Sequence, residues 1–224
     1  MSIPSIITPM NMSLVRDGIC QLLANERDNQ IELARKSGAD ESWIENTLDF
    51  TIFPKRFRYP SAEDLPCVYV YFNEGNFPGE EQDIYSNNFL GTLQVEYYAG
   101  GVNEIDEDEE NIDYSLIKTA DTNAEDRLNY LTAQIYKILC SEETNVYKGT
   151  DGLVNSFSIA KWKRILTTKE TSPAESVLGA MFSFNVGIEE TTYYTNTTQI
   201  KEFYTKLNIR EEFMPPIIRQ ILEF

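Results

Sequence analysis

Histidine is absent from all 224 residues. That removes the commonest acid–base side chain and the commonest metal ligand together. No Ser–His or Cys–His nucleophile pair is possible, and no GxSxG marks a nucleophile elbow. Neither a GxxxxGKS/T phosphate cradle nor a GxGxxG turn is present. Cysteine is scarce. Cys20, Cys67 and Cys140 lie far apart, with no CxxC among them. An odd count opposes a disulfide framework, and each lies in an apolar pattern, so all three read as reduced, buried thiols. No uninterrupted apolar run is long enough to span a bilayer. Residues 1–12 carry no basic stretch ahead of a long apolar one and do not read as a signal peptide. Basic residues are few, 19 against 36 acidic, for a net charge of −17. That balance opposes general nucleic-acid binding.

What is present describes a folded chain: 42% hydrophobic and 12% aromatic residues. The length suits one domain, or one domain with an appendage. The acidity is not evenly spread. Residues 61–125 hold sixteen of the 36 acids and one of the 19 bases, Lys118. Clustered charge gives one face or one set of loops a directed field.

Periodicity places the elements. Ser13 reads as an N-cap, followed by Leu14, Val15, Ile19, Leu22 and Leu23 at helical spacing. This helix is expected to stop near Ser37-Gly38, with Arg35 and Lys36 in its last turn. A short second helix over residues 41–48 turns Trp43 and Ile44 inward. Residues 50–57 read as a strand bent at Pro54. The run PCVYVYF, residues 66–72, suits a strand buried on both faces. A polar loop over 73–88 follows, then a half-buried strand with Leu93, Val95 and Tyr97 inward, closed by Gly100-Gly101.

Thr122 and Glu125 form a capping-box pair. It opens a helix whose core face is Leu128, Leu131, Ile135, Ile138 and Leu139. Residues 149–152 make a turn. Two long strands, 154–166 and 177–188, are expected to form an antiparallel hairpin. In the first, Phe157, Ile159 and Lys161 share one face, with Ala160 and Trp162 on the other. In the second, Phe182, Phe184, Val186 and Ile188 point inward and Met181, Ser183 and Asn185 outward. Residues 198–207 read as helical. The apolar ending, Ile217, Ile218, Ile221, Leu222 and Phe224, must dock on the body or on a neighbouring chain. The order predicts an α+β fold: a single mixed or antiparallel sheet with helices packed on one face, plus a C-terminal extension.

Chemistry-bearing clusters are weak. Glu104, Asp106, Glu107, Asp108, Glu109 and Glu110 offer oxygen ligands, but EF-hand spacing fails and a solvated loop is the better reading. Glu80, Glu81 and Asp83 read the same way. Among many carboxylates, no two are singled out at a glycosidase separation. Lys161, Lys163 and Arg164 with Trp162 form one basic-aromatic patch, and Lys55, Arg56 and Arg58 near Tyr59 form another. Either patch can touch phosphate. Against the acidic middle, both read better as surfaces that meet acidic faces on adjacent copies of the chain.

The arrangement resembles the tail terminator proteins of tailed bacteriophages, the minor tail protein U-like group. The likeness rests on the opening amphipathic helix (13–23) and the Pro-apolar strand LPCVYVYFN (65–73). It continues through the strand at 91–98, the helix EDRLNYLTAQIYKIL (125–139) and the closing strand LGAMFSFNVGIE (178–189). It spans residues 13–191. An acidic insertion, Glu104 to Asp113, and the residues from Thr192 onward depart from that pattern. The resemblance implies a terminator-like domain over 1–191, with an insertion at 103–121, and a helical extension over 192–224.

It further implies a virion protein of the tail or neck, assembled in the host cytoplasm, that caps the tail tube as a hexameric ring and stops its growth. The ring offers a joining surface to head-connector proteins. Its partners are further copies of the chain, the tube protein, the sheath and neck proteins. DNA passes through without specific binding, and no membrane, catalysis or cofactor is implied. Lys55, Arg56, Arg58, Lys161, Lys163, Arg164, Ile217, Ile218, Ile221 and Phe224 are the candidate contacts between subunits or with the tube. Glu104, Asp106, Glu107, Asp108, Glu109 and Glu110 are candidates for the lumen or rim, where negative walls avoid phosphate. Another neck, head–tail connector or sheath-capping component is the alternative, as is an acidic module that mimics DNA.

Overall fold

A computed structural model describes residues 10–55, 60, 64–78, 86–102, 119–142, 146–165, 175–191, 210 and 213. In chain order the elements are α1 (Asn11–Lys36), α2 (Glu41–Thr47), β1 (Thr51–Phe53), β2 (Cys67–Asn76) and β3 (Ser86–Val102). Then come α3 (Ala120–Cys140), α4 (Val146–Gly149), β4 (Val154–Ile165) and β5 (Glu175–Thr191). The strands form one sheet in the order β1-β2-β3-β5-β4. The β1–β2 pair is parallel and every other pair is antiparallel. The fold is therefore α+β with a single mixed sheet, as the sequence leads one to expect.

Apolar spacing explains the layering. Val15, Ile19 and Leu23 recur every four residues on α1, and Leu128, Leu131, Ile135 and Ile138 line one side of α3. Both stripes bury against Val68, Val70, Leu93, Val95, Tyr97, Phe182, Phe184, Val186 and Ile188, which share one sheet face. A smaller cluster of Cys67, Tyr69, Tyr71 and Tyr98 lies on the opposite face. From Cys67 to Tyr71 β2 is thus buried on both sides, as the unbroken apolar run implies, while its second half from Asn73 on is exposed. At Gly101 an added Cβ would meet the Ala120 carbonyl oxygen at 2.1 Å and the Ala124 nitrogen at 2.5 Å, so glycine lets α3 start directly on β3.

Several expectations are corrected. α1 begins at Asn11, ahead of Ser13, and Met10 at its N-cap offers no side-chain bond. The Glu190 carboxylate of β5 caps it instead, accepting the N–H groups of Asn11 and Met12 at 2.7 Å each. α3 is capped by the Thr119 hydroxyl, which accepts the Thr122 N–H at 3.3 Å, so Thr122–Glu125 is not the capping pair. Trp43 is exposed and sits edge-on to Tyr130, whereas Ile44 is buried. β1 is only three residues long. β2 runs on to Asn76 and β3 begins at Ser86, so the polar stretch 73–88 is partly strand, and β3 continues through Gly100-Gly101 to Val102. Cys20 and Cys67 are buried, but Cys140 is exposed at the end of α3. Met181 and Ser183 are buried although they face away from the helices.

Among the described residues, no helix is long and apolar enough to cross a membrane. The helix expected over 198–207 lies outside the described residues. Arg210 and Phe213 are described, and both lie against the body. Phe213 is buried in the main core, and Arg210 donates its backbone N–H to Gln21 and pairs with Asp28, both on α1.

Candidate functional site

Among the described residues, β4 is the outermost strand of the sheet, paired with another strand on one side only. Its partner, β5, sits between it and β3. Two irregularities break the β4–β5 register, between Val154 and Ser156 and between Ile159 and Lys161. The second leaves Ala160 unpaired and shifts the alternation of faces beyond it. Phe157, Ile159, Trp162 and Arg164 consequently stand opposite Val186, Phe184, Phe182 and Ala180, on the helix side. Lys161 and Lys163 stand opposite Ser183 and Met181, on the side away from the helices. This corrects the expected grouping of Lys161 with Phe157 and Ile159, and of Trp162 with Ala160.

Among the described residues, α3 lies over β3 and β5 and α4 meets β4 near Phe157, whose N–H donates to the Tyr147 hydroxyl at 3.1 Å, so Ile159 and Trp162 have no helix packed over them. Phe157 stacks on Phe184 with centroids 4.7 Å apart. The Trp162 indole N–H donates to the Tyr97 hydroxyl at 2.9 Å, which fixes the ring. Even so, Trp162 remains 46% exposed and Ile159 42% exposed. Arg164 donates to Glu125 of α3 at 2.5 Å. That hydrogen bond, and the attraction beside it, holds the Glu125 carboxyl below its ordinary range.

On the face away from the helices, register gives two rows across the sheet: Tyr69, Glu96, Met181, Lys163, and Tyr71, Gln94, Ser183, Lys161. The Tyr71 hydroxyl lies 2.5 Å from Glu96 Oε1 and 2.7 Å from Gln94 Oε1. Burial, reinforced by Glu96 and other neighbours, pushes the Tyr98 phenol upward, and burial does the same to Tyr69. Both rows thus run from phenols and a carboxylate on β2 and β3 to ammonium groups on β4. Tyr69, Tyr71, Met181 and Ser183 of these rows are buried, so the accessible groups at the β4 end are the two lysines.

The candidate residues fall into separate groups. Lys161, Lys163 and Arg164 are exposed together on β4, with Arg164 engaged by Glu125. Lys55 lies just past β1, at the opposite end of the sheet, with its ammonium 4.9 Å from the Phe53 ring centroid. The structure therefore does not bring the two basic patches together. Arg56, Arg58, Ile217, Ile218, Ile221 and Phe224 lie outside the described residues. So do Glu104, Asp106, Glu107, Asp108, Glu109 and Glu110. Sequence reasoning missed exposed Ile159, which looks like a core residue until the order of the strands is known. It also missed Glu74, which sits on the other rim of the sheet. Among the described residues, no group of three or more Cys, Asp or Glu side chains is placed to hold a metal ion.

No protein-family model matches this chain, and no curated protein matches its sequence.

Proposed function

We propose that this chain is a structural virion protein that caps the end of a phage tail tube as a ring, stops tube growth and forms the surface that joins tail to head. The observation that carries the reading is the outer strand β4. It places Lys161, Lys163, Ile159 and Trp162 in solvent on a chain of net charge −17. A long edge strand with exposed apolar side chains is a liability in a lone protein and a contact surface in an assembly. The order of elements expected from the terminator resemblance supports the same reading. An opening helix, the Pro-apolar strand, a second strand, a helix and a closing hairpin all occur in that order. A ring needs two different, mutually complementary surfaces on each copy, and a sheet with two dissimilar rims supplies them.

Electron microscopy of the purified chain, alone and mixed with the tube protein, tests this. Closed rings, free or seated on tube ends, with tubes of limited length, are the expected result. Single particles in both samples, with tube growth unaffected, overturn the reading.

A further inference from the structure

We propose that β4 of one copy adds, antiparallel, to the uncovered half of β2 in the next copy, so that one sheet continues from subunit to subunit. The proposal rests on the ring reading in requiring a second copy. It names the joint.

Among the described residues, the sheet has two rims with no further strand beside them. One is the outer side of β4 past Phe157, whose own N–H donates to the Tyr147 hydroxyl of α4 at 3.1 Å. The other is the far half of β2, since β1 pairs only with Cys67, Val68 and Tyr69. Phe72 to Asn76 extends beyond it, with no strand on its outer side among the described residues. The two rims match in direction. β2 is antiparallel to β3, β3 to β5, and β5 to β4. β4 therefore runs antiparallel to β2 within one copy. A neighbour in the same orientation then presents its β2 rim antiparallel to β4, the more stable ladder.

Both faces match as well. Glu74 stands opposite Thr92, whose face is shared by Gln94 and Glu96, so Glu74 lies on the face away from the helices together with Lys161 and Lys163, and all three are exposed. On the helix side, half-buried Phe72 and exposed Phe77 belong to the β2 rim, and Ile159 and Trp162 to β4. Continuing the sheet puts carboxylate beside ammonium on one face and aromatic beside apolar on the other.

Symmetry favours this partner over β4 itself. A two-fold pairing of β4 with its own copy gathers four lysines on one face of one ladder, and like charges across a ladder are destabilising. A β4–β2 joint is heterologous, and heterologous joints build rings or filaments. Lysines and bulges also guard a lone edge against stray pairing. The exposed Ile159 and Trp162 on the same strand work against that simpler role.

Sedimentation velocity of the full chain, repeated with tube protein where assembly needs it, tests the joint. The variants are Lys161→Glu/Lys163→Glu and Glu74→Lys, all at exposed side chains, with unchanged circular dichroism as the folding control. Each variant alone should need at least about tenfold more protein to assemble. Their equimolar mixture should recover wild-type assembly, because the two reversed rims again complement each other. Assembled wild type with both variants unchanged in size overturns the β4–β2 joint and leaves the ring reading standing. Wild type that stays monomeric in both settings overturns the two together.

Discussion

Asp17 is enclosed on the inner side of α1 with no exposed side-chain surface. Its Oδ1 accepts from Arg16 at 2.6 Å and 2.8 Å, while Oδ2 has no hydrogen-bond partner among the described residues. Burial outweighs the Arg16 attraction and pushes the carboxyl up to about 6. The ionised form is therefore less stable in the folded state than in the unfolded chain. As pH falls from about 6 towards about 4, the folded state takes up the proton first, so this group adds stability in that window. A shift of that size corresponds to about 3 kcal/mol between the extremes. Asp17→Asn should remove this rise. Urea melts of wild type and variant between pH 4 and pH 7 check it, and a parallel pH dependence in both would count against it. Cys20, one turn further along α1, is buried, and burial together with the nearby Asp17 charge keeps its thiol protonated.

At the scale of elements, the start of α1 is held by a residue 179 positions away in sequence. Glu190 closes two of the helix's free N–H groups, and the Asn11 amide donates to the Glu189 carbonyl at 2.6 Å, tying α1 to the end of β5. Two effects compete at this carboxylate. The N–H bonds favour its charge, burial opposes it, and burial wins, raising its pKa. Glu190→Ala loses both bonds and should lower stability by about 1–2 kcal/mol, the usual effect of removing a helix cap. Glu190→Gln keeps one acceptor and no buried charge, and should cost less at pH 7. Thermal melts of the pair check the order. This cap was invisible to local reading, which looks for an acceptor within the first turn and found Ser13. Helix interiors were legible because their apolar stripes are local: Val15, Ile19 and Leu23, then Leu128, Leu131 and Ile135. Strand faces were legible only where alternation is unbroken. The unpaired Ala160 moved Trp162 to the helix side, and no sequence pattern marks a bulge at that position.

For the whole molecule, strand order decides what the candidate site is. Lys161 and Lys163 stand out in sequence as a basic cluster, but their place on an outer strand depends on β5 inserting between β3 and β4. The same order makes a rim of Glu74, which carries no local signal. Arg164, grouped with the lysines by sequence, stands on the helix side and pairs with Glu125, so the two lysines carry the charge of β4 on the face away from the helices. Assembly then sets a local attraction against a global repulsion. Copies of net charge −17 repel over the Debye length, about 30 Å at 10 mM salt and about 8 Å at 150 mM. Lysine–glutamate contacts at the rim are exposed and contribute about 0–1 kcal/mol each. With so few contacts, repulsion dominates at low salt. Assembly of the wild type should therefore strengthen as salt rises from about 10 mM to about 150 mM, where the repulsion is screened and the apolar contacts of Ile159 and Trp162 remain. Light scattering across that range checks it. A steady weakening with salt would instead place the dominant energy in the rim charges.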